Sequence, residues 1–65
     1  MSSWQEIAKD ELEDLKSKNR ALYGFMGTDI YYSLSEVQQD LLKTQLEIMR
    51  AYECILVLRL KDGKA

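Results

Sequence analysis

The sequence predicts an all-α fold, an antiparallel two-helix hairpin that assembles into a compact homo-oligomer. Two long segments contain no proline and carry apolar residues at alternating three- and four-residue spacings, the periodicity of an amphipathic helix. The connection between them is short, and short connections join antiparallel neighbours. The 65 residues form a single predicted domain, with a first helix at about 3–26, a connector at 27–34 and a second helix at about 35–61.

The first helix is predicted to begin at Ser3, because Ser3 and Glu6 have the spacing of a capping box. Its apolar stripe consists of Ala8, Leu12, Leu15, Leu22 and Met26. Asn19 interrupts this stripe, and we interpret it either as a residue that sets register or oligomeric state, or as a ligand contact. Gly27 is expected to end the helix in the left-handed conformation.

The connector is too apolar for a free loop. Residues 30–32 are Ile-Tyr-Tyr, and we expect them to close the open end of the helix pair. A second capping box then starts the second helix, formed either by Ser33 with Glu36 or by Ser35 with Gln38.

The second helix has more apolar surface than one partner helix can cover. One line of residues is enough to pack against the first helix: Leu42, Leu46, Met49, Leu56 and Leu60. A second line lies beside it: Leu41, Ile48, Tyr52 and Ile55. A domain this small buries only about 60% of its extended surface, so we expect copies of the same chain to cover the second line.

The apolar run at 54–60 contains one permanent cation, Arg59. An arginine does not lose its proton in proteins, so burying it costs several kcal/mol, on the order of one ion's desolvation, unless an anion meets it. That anion is either a carboxylate of another protomer or a phosphate of a ligand. In the same run, Cys54 is expected to be a buried structural thiol.

Composition excludes several functions. The net charge is −2 and no long basic tract is present, which argues against a sequence-independent DNA or RNA binder. With no histidine and one cysteine, the chain has no usual zinc site and no Ser/His or Cys/His pair. We therefore expect no catalytic residue, no metal, no cofactor and no enzyme activity. The lack of an apolar span or signal peptide predicts a cytoplasmic protein without a membrane partner.

Aromatic and basic residues of the first helix are candidates for a phosphorylated ligand. Trp4 is either a packing residue against a neighbouring chain or a stacking platform for a nucleobase. Lys16, Lys18 and Arg20 follow one another at a spacing of two residues, so we expect them to point to different faces of the helix. Cations arranged in this way are also typical of a solvated surface. These residues suit a ligand with phosphates and bases, bound between chains, but do not identify it.

The two helices together resemble a known family. The pattern is Lys18-x-x-x-Leu22-x-x-Phe25, a linker with Leu34, then Leu41-Leu42-x-x-Gln45-Leu46-x-x-Met49-x-x-Tyr52-x-x-x-Leu56-x-x-Arg59-Leu60. It is similar to the anti-CBASS proteins of bacteriophages, sponges that sequester cyclic oligonucleotide signals, and to the helical hairpin shared with phage sponges that act against Thoeris defence. The resemblance covers about residues 12–61, and its Gln-Leu-x-x-Met-x-x-Tyr segment with the placed Lys and Arg is the distinctive part.

The resemblance implies a homohexamer, a trimer of dimers, that binds cyclic dinucleotides such as cyclic GMP-AMP between paired protomers and so suppresses CBASS defence in the infected bacterium. The family's stacking aromatic residue falls near Trp4, and its phosphate-binding lysine falls on Lys18. Where members bind cyclic trinucleotides at the meeting point of three protomers, their late arginine matches Arg59, and Arg20 is expected to face the same site. The competing interpretation is a structural helical bundle that binds a partner protein or RNA.

Overall fold

The structure, a computed structural model, describes residues 3–63 and places three helices in that range. Helix α1 spans Trp4–Phe25, α2 spans Asp29–Ser33 and α3 spans Glu36–Asp62. The predicted single domain also includes residues 1–2 and 64–65, which lie outside the described residues. The long helices α1 and α3 run antiparallel, and the molecule measures 46 × 17 × 16 Å.

Helix α1 begins directly after Ser3, because the Ser3 hydroxyl accepts a hydrogen bond from the backbone N–H of Glu6 at 3.3 Å. This contact is half of the predicted capping box and satisfies one of the free N–H groups at the helix start. The buried residues of α1 are Ala8, Leu12, Leu15 and Asn19. Their spacings of four, three and four keep them on one face, which packs against α3.

The end of α1 differs from the prediction. Gly27 was expected to be left-handed, but Met26 is the capping residue, with φ −65° and ψ −13°. Across residues 3–63 no glycine has a positive φ. The N–H groups of Gly27 and Thr28 instead donate to the carbonyls of Gly24 and Phe25, three residues earlier. These tight turns satisfy carbonyls at the helix end, so a left-handed residue is not required.

The connector folds as the short helix α2. Its capping residue is Thr28, whose hydroxyl donates to the Phe25 carbonyl at 2.7 Å and accepts from the Tyr31 N–H at 3.3 Å. One side chain therefore joins the end of α1 to the start of α2, which makes the connector compact.

Tyr31 closes the open end of the helix pair, as the sequence predicts. Its side chain is 2% exposed, its hydroxyl donates to the backbone carbonyl of Gln39 at 3.2 Å, and its ring packs edge-on against Phe25. The same prediction was wrong for Ile30 and Tyr32, which are both about two-thirds exposed. A five-residue helix with one covered face buries only one of three consecutive side chains.

Helix α3 begins after Ser35, whose hydroxyl accepts from the Gln38 N–H at 3.2 Å, so the second of the two possible capping boxes is the one formed. The core lies between α1 and α3 around Leu56, which is fully buried. Its other members are Ala8, Leu12 and Leu15, with Met49, Val57 and Leu60 packed against them. None of the helices within residues 3–63 is long and apolar enough to cross a membrane.

A second apolar surface of α3 is left uncovered in the single chain. Its residues are 38% to 64% exposed and are those of the predicted second line: Leu41, Ile48, Tyr52 and Ile55. Cys54 is also exposed in the single chain, and its expected burial by other copies stays a prediction. The physical reason is that α3 has one long helix beside it, which covers one face only.

Candidate functional site

Trp4 and Arg59 meet at the end of the hairpin where α1 begins and α3 finishes. The guanidinium carbon of Arg59 lies 5.7 Å from the centroid of the indole ring, within the range of a cation–π interaction. The indole edge packs on Gly63, where an added Cβ would lie 2.5 Å and 2.7 Å from two ring carbons. We call these three residues the tryptophan end. Trp4 remains 45% exposed there, so part of its ring is open to a ligand or a second chain.

Arg59 is exposed in the single chain, so the apolar surroundings expected for it in an assembly would come from other copies. No carboxylate of the described part of the chain lies within salt-bridge distance of it. Its neighbour Tyr52 donates a hydrogen bond to the carboxylate of Glu11, and this bond is the main reason that the pKa of Tyr52 is raised, with desolvation second. Arg59 acts in the opposite direction and lowers that pKa. Its positive charge is therefore available to an anion.

Lys18 lies on the outer surface of α1. Its ammonium nitrogen is 2.9 Å from a carboxylate oxygen of Asp14, and both side chains are about two-thirds exposed. Exposed pairs of this kind contribute little and are easily exchanged for another anion. Trp4 and Lys18 are fourteen positions apart, or about 21 Å along the helix axis at 1.5 Å per residue. The structure thus does not bring these two predicted site residues together within one chain.

Arg20 lies far from Arg59, in a cleft between the second half of α1 and the middle of α3. The cleft has a volume of about 430 Å³, which is within the range of small-molecule sites. We call it the central cleft, and its lining residues are Lys16, Asn19, Arg20, Tyr23, Gly24, Arg50 and Glu53. Arg20 and Arg59, predicted to share a trinucleotide site, therefore do not meet within one chain.

The lining of the central cleft follows from helix geometry. Lys16, Arg20 and Tyr23 are four and three positions apart on α1, so they lie on one face. The expectation that Lys16 and Arg20 point to different faces was therefore wrong, because both line this cleft. Arg50 and Glu53 are three apart on α3 and face them. The guanidinium carbon of Arg50 is 5.9 Å from the centroid of the Tyr23 ring, which is itself 67% exposed. The cleft thus pairs an aromatic ring with a cation, as the tryptophan end does.

Asn19 forms the floor between the two helices and is 7% exposed. Its side-chain N–H group donates to a carboxylate oxygen of Glu53 at 3.0 Å, which links α1 to α3. Its carbonyl oxygen is buried and has no donor within residues 3–63. A buried acceptor without a donor costs about 1–3 kcal/mol. The hydrogen bond fits the predicted role in register, and the free acceptor leaves the predicted role in ligand contact open.

Three cations and one carboxylate line the central cleft, although the whole chain has a net charge of −2. A second cleft of about 300 Å³ beside the first half of α1 has two glutamates and one lysine, so it suits an anion less well. In the described range, no group of three or more Cys, Asp or Glu is placed to hold a metal ion. The lining of the central cleft thus combines an excess of positive charge with an exposed aromatic ring.

Sequence reasoning did not identify Tyr23, Arg50 and Glu53 as site residues. The available signal was their spacing, because Tyr23 continues the face of Lys16 and Arg20, and Arg50 and Glu53 share a face of α3. The register that sets these two faces opposite each other is a tertiary property.

The comparison with known families covers nearly the whole chain, because residues 2–62 match the family model described as Sequestin. The chain belongs to the Sequestin family. All three helices fall within the matched residues, and so do Trp4, Arg59 and the whole central cleft. No curated protein and no solved structure matches the chain significantly.

Proposed function

We propose that this chain is a non-catalytic sponge that binds and sequesters cyclic dinucleotides such as cyclic GMP-AMP, and also cyclic trinucleotides, and thereby suppresses CBASS defence in an infected bacterium. The observation that carries this proposal is membership of a family whose name denotes sequestration. A sponge needs binding energy but no bond-breaking step, and the absence of histidine from the sequence is compatible with that.

Two pairs of side chains, each made of one cation and one aromatic ring, favour a ligand that contains both phosphates and bases. Arg59 lies over Trp4 at 5.7 Å, and Arg50 lies over Tyr23 at 5.9 Å. Arginine binds phosphate through two parallel N–H groups, and an exposed aromatic ring stacks on a base. Each pair therefore offers a contact for both parts of one nucleotide, on rigid helices that lose little entropy on binding.

The proposed sites are completed by other copies of the chain. Trp4 and Lys18 are about 21 Å apart along α1, so a pocket that uses both takes them from two protomers. The exposed apolar line of α3 provides the surface for association: Leu41, Ile48, Tyr52 and Ile55. We propose a homohexamer built as a trimer of dimers, with a dinucleotide pocket at Trp4 and Lys18, and a trinucleotide pocket at Arg59 and Arg20.

The proposal is tested by thermal shift and calorimetry with cyclic di- and trinucleotides. A ligand at a hundredfold excess over its Kd stabilises the folded protein by about 2.7 kcal/mol, which is a shift of several degrees. Arg59→Leu should lose trinucleotide binding and should also weaken dinucleotide binding, because Arg59 lies against the Trp4 ring. Lys61→Leu, which changes an exposed cation of the same helix turn, should keep both. If no cyclic oligonucleotide shifts the melting temperature or releases heat on binding, the sponge proposal is wrong.

The exposed apolar line would also suit the alternative, an interaction protein whose partner is another protein or RNA. In that case the oligomer forms, and the cyclic nucleotides leave its melting temperature unchanged. The same thermal shift experiment therefore separates the two functions.

A further inference from the structure

We propose that the central cleft holds one nucleotide unit of the sequestered ligand and selects a base that presents two adjacent N–H donors, as guanine does. This inference rests on the proposed function and adds to it a site and a base preference. Three features of this one cleft support it: three cations, an exposed tyrosine ring and the carboxylate of Glu53.

The phosphate contacts come from three cations on two helices. Lys16 and Arg20 line the cleft from α1, and Arg50 lines it from α3. Like charges that converge on one cavity repel each other when it is empty, and a phosphate relieves that repulsion. The two arginines also supply planar forks of N–H donors that match phosphate oxygens.

The stacking contact comes from Tyr23. The guanidinium carbon of Arg50 lies 5.9 Å from the centroid of its ring, and two-thirds of the Tyr23 side chain is still exposed. A base stacked on Tyr23 would carry its attached phosphate toward the neighbouring Arg50 and Arg20. Stacking of this kind accepts any base and so does not itself discriminate among them.

Discrimination among bases comes from Glu53 at the floor of the cleft. One carboxylate oxygen of Glu53 accepts from Asn19, but a carboxylate has about four acceptor positions, so acceptor capacity remains. The carbonyl oxygen of Asn19 is itself enclosed by the protein. The floor thus offers the Glu53 carboxylate, and guanine offers it two adjacent donors on its Watson–Crick edge. Adenine would place a ring nitrogen lone pair against the carboxylate.

Gly24 provides a way to block the cleft without harming the fold. It lines the cavity, and a Cβ added there would meet no atom within 4 Å. Gly24→Leu therefore introduces a side chain into open space, and a leucine in place of glycine within a helix favours the helical state. The added side chain occupies volume that a ligand would need.

The experiment is calorimetry of the full chain with cyclic di-GMP, cyclic GMP-AMP and cyclic di-AMP. The unmodified protein should bind the two guanine-containing ligands more tightly than cyclic di-AMP, by on the order of tenfold. Gly24→Leu should lose at least that factor in affinity. Glu53→Gln should remove the base preference and keep the fold, because the glutamine carbonyl still accepts from Asn19. The control is Lys43→Leu, an exposed cation of α3 outside the cleft, which should bind as the parent does.

The outcomes separate this inference from the proposed function. If the parent binds and a folded Gly24→Leu binds equally well, the cleft assignment is wrong and the sponge function stands. If Gly24→Leu does not fold, Tyr23→Leu decides in its place, because its side chain is exposed and its loss leaves the core intact. Equal affinity for all three ligands, or tighter binding of cyclic di-AMP, overturns the base preference. If the parent binds none of the three, this inference fails, and the thermal shift experiment with cyclic trinucleotides then decides the sponge proposal.

Discussion

The buried Asn19 makes a sharp prediction about stability, because its two polar atoms have opposite energetic effects. Asn19→Leu removes a hydrogen bond to the carboxylate of Glu53, worth about 1.5 kcal/mol for a partly buried charged acceptor. It also removes the unpaired carbonyl oxygen, which costs about 1–3 kcal/mol. Leucine further adds apolar surface at a position that is 7% exposed, a favourable contribution of about 1 kcal/mol or more. The expected net change is stabilisation by about 1 kcal/mol.

Asn19→Asp is the matched variant of nearly the same shape, and it should have the opposite effect. It removes the N–H donor and places a second carboxylate about 3 Å from that of Glu53, the distance of the present hydrogen bond. Two like charges at that distance repel by about 5 kcal/mol at an effective dielectric constant of ~20. Nearby cations and proton uptake reduce this, so we expect destabilisation by about 2–4 kcal/mol at neutral pH. Protonation of one of the two carboxyl groups removes the repulsion, so the variant should be less destabilised in acid than at neutral pH.

The assay is thermal and urea unfolding followed by circular dichroism, with all variants at one protomer concentration because oligomer stability depends on it. A change of 1 kcal/mol corresponds to about 4–8 °C in a domain of this size. Asn19→Leu should therefore melt several degrees above the parent, and Asn19→Asp well below it near pH 7. If Asn19→Leu melts several degrees lower instead, the carbonyl oxygen is satisfied in the folded protein and our reasoning about the free acceptor is refuted.

Three further predictions concern the core, the uncovered surface and the ionisation of one tyrosine. Leu56→Ala should cost about 2–5 kcal/mol, and the exposed Leu58→Ala should cost much less, as chemical denaturation can measure. Ile48→Glu should shift the oligomer toward smaller species in light scattering, because it places a charge in the uncovered apolar line; an unchanged mass would exclude this surface from the interface. Glu11→Gln should lower the pKa of Tyr52, so that tyrosinate absorbance appears at lower pH than in the parent. Because the pKa of Tyr52 is raised in the folded state, its hydrogen bond to Glu11 stabilises the hairpin fully below about pH 10. That stabilisation is lost as the pH rises through the raised pKa.

Features of the fold that depend on local sequence were predictable. The capping contacts of Ser3 and Ser35 are formed by residues three positions apart, so no distant part of the chain decides them. The division of α3 into a packing line and an uncovered line was also predictable, because helix periodicity alone assigns residues to faces. The burial of Leu56 and the exposure of Ile48 follow from that assignment.

Predictions failed where they required knowledge of what surrounds a residue. Gly27 was expected to be left-handed, but tight backbone hydrogen bonds close the end of α1 without it. Cys54 and Arg59 were expected to be covered by other copies of the chain, because their segment is apolar on every side. Both side chains are exposed in the single chain, and their burial in an assembly stays a prediction.

Local sequence accounts for the two long helices, for the serines that cap their starts and for the face that each residue occupies, because these depend on contacts within a few positions of the chain. Which faces meet depends on tertiary packing. It set Arg59 over Trp4, which had been assigned to different sites, and it set Arg50 and Glu53 opposite Tyr23 to form the central cleft. Register between two helices is fixed by long-range packing and by side-chain hydrogen bonds from Asn19 to Glu53 and from Tyr52 to Glu11. Helical periodicity carries no information about it.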